Sequence, residues 1–220
     1  METLPGHLER LPAGQDRFRV QLMARSQRER ILAAAADVIA KRGYQGTTVA
    51  LIVERAGVAR VTFYENFENR EACLLALFDD AIEAMRLRAE AAVAAESEWP
   101  AQVRAVIATF LEYVVEEPAL ARTCLIESMV AGAAAMERYE QALQGYSPIL
   151  REGRELAGGL DGLPGTLLED SIIGGIVWMV HQRLLRGEVG EIPGLLPTMV
   201  EFALGPYLGE ERAAEVAAGR

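Results

Sequence analysis

Apolar residues recur three and four positions apart along most of the chain, and nothing alternates with the period of two that a half-buried strand requires. The pattern predicts an all-α protein. In the first stripe Ile31, Ala35, Val38 and Ile39 share a face that ends at Gly43. Ser26, with Glu29 three residues on, forms a capping box, so this helix is expected from Ser26 or Gln27. Val49, Ile52, Val53 and Ala56 repeat the spacing in a short helix that Thr47 can cap and Gly57 can stop, since glycine reaches the left-handed backbone that ends helices. A third helix, from about Arg60 through Glu65, turns Phe63 and Phe67 inward at i,i+4. Two short helices meeting across a glycine turn make a helix-turn-helix, whose second member fits a DNA major groove.

Beyond this head the stripes lengthen. Leu74, Phe78, Ile82, Met85, Ala89 and Val93 predict one helix from Asn69 to about Glu96, long enough to begin in the head and end in the body. Pro100 and Pro118 open the next two helices, a Met- and Ala-rich segment runs to about Leu143, and a further helix from Ser147 reaches about Leu156. Residues 167–185 are apolar on two faces, which a surface helix does not show unless something covers the second. A closing helix carries Leu196, Met199, Val200, Ala203, Leu204 and Tyr207 to about Leu208. The expected domains are a basic flexible arm over 1–24, a DNA-binding head over 25–71 and a ligand-binding and dimerisation body over 72–220.

The head resembles the TetR-type (TetR/AcrR) helix-turn-helix transcriptional regulators. Gly43-Tyr44, Thr47-Thr48-Val49, Ala56-Gly57-Val58, Thr62-Phe63-Tyr64 with Phe67, and Arg70-Glu71 with Leu74 carry the likeness, at matching spacing through three helices. Three positions depart from it: Ala59 stands where a capping Ser is usual, Leu51 where an acidic residue is frequent, and Arg70 where Lys is usual. The resemblance implies a homodimer paired through its last two long helices, with Ile172, Gly174, Gly175, Ile176, Met199 and Phe202 at the interface. It also implies a ligand-responsive regulator, in the simplest case a repressor released from a palindromic operator by a small, largely apolar effector.

Charge changes where DNA is expected to bind. The net charge is −10, yet residues 10–64 carry ten Arg or Lys against four acids, whereas residues 65–220 carry twelve against twenty-six. Only charges that reach phosphates drive counterion release, so the basic head governs binding and the acidic body discourages unspecific wrapping. Arg60 is the candidate for a guanine edge, its fork matching N7 and O6. Val61 can touch a thymine methyl, Thr62 a thymine methyl or a phosphate, and Tyr64 a phosphate. Thr47 and Thr48 at a helix N-terminus, and Arg70, are phosphate candidates, and Arg25, at the junction of arm and head, can follow the phosphates or enter the minor groove. Gln27, Arg28 and Asn66 complete the expected interface.

For the body, the candidates to line an effector pocket are Trp99, Phe110, Tyr113, Cys124, Met129, Met136, Tyr139, Trp178 and His181, with Glu127. Glu127 and His181 are polar groups in apolar segments, and buried polar groups need partners, either a ligand or a structural hydrogen bond. Nothing points to an enzyme. The chain has only His7 and His181, no nucleophile elbow, no phosphate-cradling glycine loop and no metal-binding pair, so neither cofactor nor metal is expected. Two isolated cysteines, no leader and no apolar run of membrane-spanning length fit a cytoplasmic protein. Control by Cys73 or Cys124 oxidation, or by a partner protein, stands as the alternative to a small effector, and an α-helical enzyme stands as the rival class behind them.

Overall fold

A computed structural model describes residues 13–157 and 166–219, and all of its regular elements are helical. The described α-helices are α1 (Ala13–Arg42), α2 (Val49–Ala56), α3 (Arg60–Asn66), α4 (Arg70–Ala94), α5 (Trp99–Glu116), α6 (Pro118–Leu125), α7 (Ala133–Gln144), α8 (Ser147–Arg151), α9 (Gly153–Ala157), α10 (Leu167–Arg186), α11 (Leu196–Leu208) and α12 (Glu210–Ala217). Short 3-10 turns follow α6 (Glu127–Met129) and precede α11 (Val189–Leu195).

Two expectations at the N-terminus change. The first helix begins at Ala13, so Ser26 lies within it and the Ser26/Glu29 pair caps nothing. Both prolines of the N-terminal stretch, Pro5 and Pro12, precede Ala13, and beyond them only Gly14 disfavours a helix, by about 1 kcal/mol. Half of the expected arm is therefore helical; residues 1–12 and the side chain of Arg25 lie outside the described residues.

The head closes around Phe63 and Phe67, whose ring centroids are 5.7 Å apart, packed with Ile31, Ile39, Ile52 and Leu74 from the neighbouring helices. Each fully buried aromatic or aliphatic side chain contributes roughly 1.5–3 kcal/mol, and this core holds the two short helices α2 and α3 against α1 and α4. The N-cap of α2 is Thr48, whose hydroxyl accepts from the Leu51 amide at 3.3 Å; Thr47, expected in that role, is fully buried and donates to the Gly43 carbonyl at 2.8 Å. Gly57 ends α2 at φ 63° with its amide turned back to the helix carbonyls. Ala59 is the N-cap of α3 and offers no side-chain cap.

α4 leaves the head and enters the body, burying Cys73, Leu74, Leu77 and Phe78 near one end and Met85 and Ala89 near the other. Its 25 residues span about 37 Å at 1.5 Å per residue. In the body, α5, α10 and α11 share one core through Val103, Ile107, Leu111, Ile172, Ile176, Val180, Met199 and Leu204. An unexpected α12 folds back onto it with Ala213, Val216 and Ala217 buried. A bidentate pair, Arg154 to the fully buried Glu169 at 2.6 and 2.9 Å, ties α9 to α10, and the Tyr207 hydroxyl donates to the same carboxylate at 3.4 Å.

The surface of α10 and α11 corrects the expected dimer residues. Ile172, Ile176 and Met199 point into this chain's own core. The outward side of α10 carries Leu167, Ser171, Gly174, Trp178 and Leu185, and that of α11 carries Phe202 and Pro206. Gly175 lies where the two helices meet: a Cβ there would stand 2.6 Å from the Phe202 ring, so the glycine permits the close approach. Among the described residues, no single helix is long and apolar enough to cross a membrane.

Candidate functional site

Three features of the head decide what it can touch. α3 projects Val61, 63% exposed, and Tyr64, 47% exposed, together with Arg60. Arg60 lies over the Tyr64 ring at 5.7 Å and reaches its hydroxyl at 3.3 Å, so two expected DNA contacts form one exposed patch. Thr48 is exposed at the start of α2, where free amides and the helix dipole favour a phosphate. Thr62 and Asn66 are half-buried, and Asn66 donates back to the Thr62 carbonyl at 2.8 Å.

Other expected contacts serve the fold instead. Thr47 has no exposed atoms to offer DNA. Arg28 makes a bidentate pair with Asp80 of α4, at 2.7 and 3.2 Å, and lies 5.7 Å over the Phe67 ring, while Gln27 is half-buried on the same helix. Arg70 covers the Tyr44 ring at 4.2 Å and donates through Nη1 to the Tyr44 and Thr47 carbonyls, which fixes the link between α1 and α2. Arg30, which the sequence did not single out, bonds the Ala56 carbonyl at 2.7 Å and holds the end of α2. Its 26-residue separation from Ala56 leaves no local signal.

The head and body meet at a buried carboxylate. Glu127, two residues past α6, accepts the Tyr44 amide at 2.8 Å through Oε2. It was expected near a ligand; the structural hydrogen bond is the explanation that holds. Beside it, Gln45 reaches the Val130 carbonyl at 3.4 Å. Ala131 and Ala135 belong to the head's core, with Leu120 and Cys124 packed against it.

The body encloses a cavity of about 170 Å³ between α4, α5, α6, α7, α8 and α10. A single water needs roughly 10–15 Å³ on the same measure, so the space holds far more than a stray solvent molecule. Ile82 and Met85 of α4, Val106 and Phe110 of α5, and Ile173 and Val177 of α10 are typical of its walls. Its polar groups are Tyr113, Tyr139, Tyr146 and Cys124. Burial pushes the Tyr113 hydroxyl up to about 12 and raises the Cys124 thiol, so both stay neutral near pH 7. A wall of that kind suits hydrocarbon.

Of the expected lining residues, Phe110, Tyr113, Cys124 and Tyr139 face this cavity. The others do not. Trp99 is buried in the core and donates to the Ile149 carbonyl at 2.6 Å, and His181 Nδ1 lies 3.2 Å from the Leu125 carbonyl. Met129 and Trp178 are 57% and 59% exposed, and Met136 is half-buried outside the lining. The sequence missed Tyr146, Ile149 and Ile173, whose helical spacing matches that of ordinary core residues. Among the described residues, no cluster of three His, Cys, Asp or Glu could hold a metal ion.

A helix-turn-helix head on an all-helical body with an apolar cavity defines a DNA-binding transcriptional regulator. Residues 31–77 match the model of the bacterial regulatory proteins of the tetR family. The head therefore carries the helix-turn-helix DNA-binding domain of the TetR/AcrR regulators. The chain is 28% identical over 176 residues to the fatty acid metabolism regulator protein of Bacillus subtilis (strain 168), covering 78% of this chain and 91% of that relative. It is also 26% identical over 106 residues to the transcriptional activator FasR of Mycolicibacterium smegmatis, covering 48% of each. Among solved structures, the fatty acid degradation regulator FadR of Bacillus halodurans superposes with a TM-score of 0.72 at 22% identity, covering 80% of this chain and 97% of that one. FadR of B. subtilis in complex with stearoyl-CoA gives 0.69 at 24%, covering 82% and 98%. At these identities the structural likenesses speak for the fold.

Proposed function

We propose that the protein is a homodimeric repressor which binds a palindromic operator and is released by a long-chain acyl effector of the fatty acyl-CoA type. The observation that carries the effector class is the cavity wall, in which hydrocarbon from α4, α5, α6, α7, α8 and α10 surrounds a space with only three phenols and a thiol for polarity. Apolar walls gain roughly 25 cal/mol per Å² of buried hydrocarbon and offer no charged partner, so an alkyl chain is favoured over a sugar or nucleotide. The relative named for fatty acid metabolism and the fold relative bound to stearoyl-CoA support the same class.

The proposed head spans residues 25–71 and the effector and dimerisation body 72–220. Arg60 reads a base edge, with Val61 and Thr62 beside it, while Tyr64 and Thr48 hold phosphates. The Trp178, Leu185 and Phe202 surface of α10 and α11 pairs with its copy in a second subunit, placing two α3 helices about 34 to 36 Å apart for successive major grooves. An effector that alters this separation loses one half-site.

Redox control is the weaker reading. Burial pushes the Cys73 thiol up to about 12 and raises Cys124 as well, which suppresses the reactive thiolate. Selection of randomised duplexes by the purified chain tests the proposal: an enriched inverted repeat is expected, with base preference relaxed by Arg60→Ala and affinity for all sequences lowered more evenly by Tyr64→Phe. No enrichment, or indifference to both substitutions, counts against it.

A further inference from the structure

We propose that Glu127 is a positioning residue, a latch that carries the state of the cavity to the start of α2; this rests on the reading of the chain as an effector-controlled DNA-binding protein. α6 contributes Leu120, Ala121, Cys124 and Leu125 to the cavity wall. Two residues beyond its end, the backbone turns through a 3-10 turn and buries Glu127 at the joint. There Oε2 accepts the Tyr44 amide, across 83 residues of sequence. Only Ile126 and the start of this turn therefore separate a wall of the cavity from a hydrogen bond to the head.

The receiving side is equally constrained. Gly43 has φ 70°, and a Cβ at that position would lie 3.4 Å from Glu127 Oε2, so the chain runs directly against the carboxylate. Tyr44 is buried under the Arg70 guanidinium, and its carbonyl accepts from Arg70 and from the Thr47 amide, the latter at 3.1 Å. Thr47 returns a bond to Gly43, and Thr48 caps α2. Residues 43–48 thus form one braced unit whose body-side anchor is the Glu127 carboxylate, with the Gln45 to Val130 contact alongside. A displacement of α6 by a filled cavity pulls on Tyr44, and the exposed N-terminus of α2 must follow. Interiors transmit such shifts because they are close-packed.

The test compares the full-length wild type with Glu127→Ala, which removes the acceptor, and Glu127→Gln, which keeps one. Duplex affinity is measured by fluorescence anisotropy on a selected sequence, with and without stearoyl-CoA as the probe, and probe binding is measured separately by calorimetry. In the wild type the probe is expected to weaken DNA binding by about 5- to 150-fold, the usual range of allosteric coupling. In Glu127→Ala, with probe affinity unchanged, that factor is expected to fall below about threefold; Glu127→Gln restores most of it. A Glu127→Ala protein that binds probe and DNA and keeps the full wild-type factor overturns the latch. If stearoyl-CoA leaves wild-type DNA binding unchanged, the acyl-effector assignment fails, and affinity without probe decides the latch. A loss of fivefold or more in Glu127→Ala, recovered in Glu127→Gln, then supports it, on the order of the smallest allosteric couplings; equal affinity in all three proteins overturns it.

Discussion

Replacing Arg70 by Met separates two roles that a cation at the start of α4 can play. A phosphate contact makes Arg70 a surface charge whose loss leaves folding alone. The structure instead commits its Nη1 to the Tyr44 and Thr47 carbonyls and its planar face to the Tyr44 ring, 4.2 Å away. Charge-assisted hydrogen bonds contribute roughly 1.5–3 kcal/mol and an exposed cation–π contact roughly 0.5–1. Because the site is only partly buried, water recovers some of this, and a loss of about 2 kcal/mol is expected. For a chain of this size that lowers the melting temperature by about 4–8 °C. The counterpart assay is DNA affinity against salt. Each lost phosphate contact reduces the slope of log K against log salt by about 0.9, hence about 1.8 for a dimer. Arg70→Met is expected to melt earlier, to bind all duplexes more weakly and to keep the wild-type slope. A slope reduced by about 1.8 with an unchanged melting temperature would refute the bracing role.

Three further outcomes follow from other parts of the molecule. Arg154 holds the Glu169 carboxyl below the usual carboxylate range, so this pair stabilises the fold fully above the unfolded value of about 4.3 and loses that contribution as pH falls through the lowered folded one. Glu169→Gln should therefore cost about 3 kcal/mol at pH 7, read by urea unfolding, with the gap to wild type narrowing below about pH 4. Ala142→Trp, which fills the cavity from α7, is expected to weaken stearoyl-CoA binding at least tenfold while leaving duplex affinity within about twofold, so equal probe affinity would dissociate the cavity from the effector. Trp178→Glu and Phe202→Glu place charge on the outward face of α10 and α11; sedimentation should show monomers and operator binding should collapse, whereas a stable dimer in both variants would move the interface elsewhere.

The head was legible because each of its signals has a local cause. Gly57 is needed for a left-handed residue, and Phe63 and Phe67 fall on one face at any packing. The body was legible as helices but not as a site. Periodicity distinguishes a buried face from an exposed one, yet it does not separate a cavity wall from solid core, so Phe110 and Tyr113 were found alongside Trp99 and His181, whose polar atoms meet backbone carbonyls. In α10 two apolar faces compete, and sequence offers no way to know which one this chain covers itself; Ile172 and Ile176 went inward and Trp178 outward. α12 was missed because its buried face is built from Ala213, Val216 and Ala217, too small to make a strong stripe among charged neighbours. Glu127 was noticed as an anomaly, but its partner lies 83 residues away.

The central claim is that hydrocarbon in the body controls DNA binding by the head. Titrating stearoyl-CoA into the wild-type protein bound to its selected duplex at low salt tests it most directly. The account predicts saturable release, with duplex affinity reduced at least about fivefold. Duplex binding that is absent, or present and unmoved by saturating acyl-CoA, would contradict it.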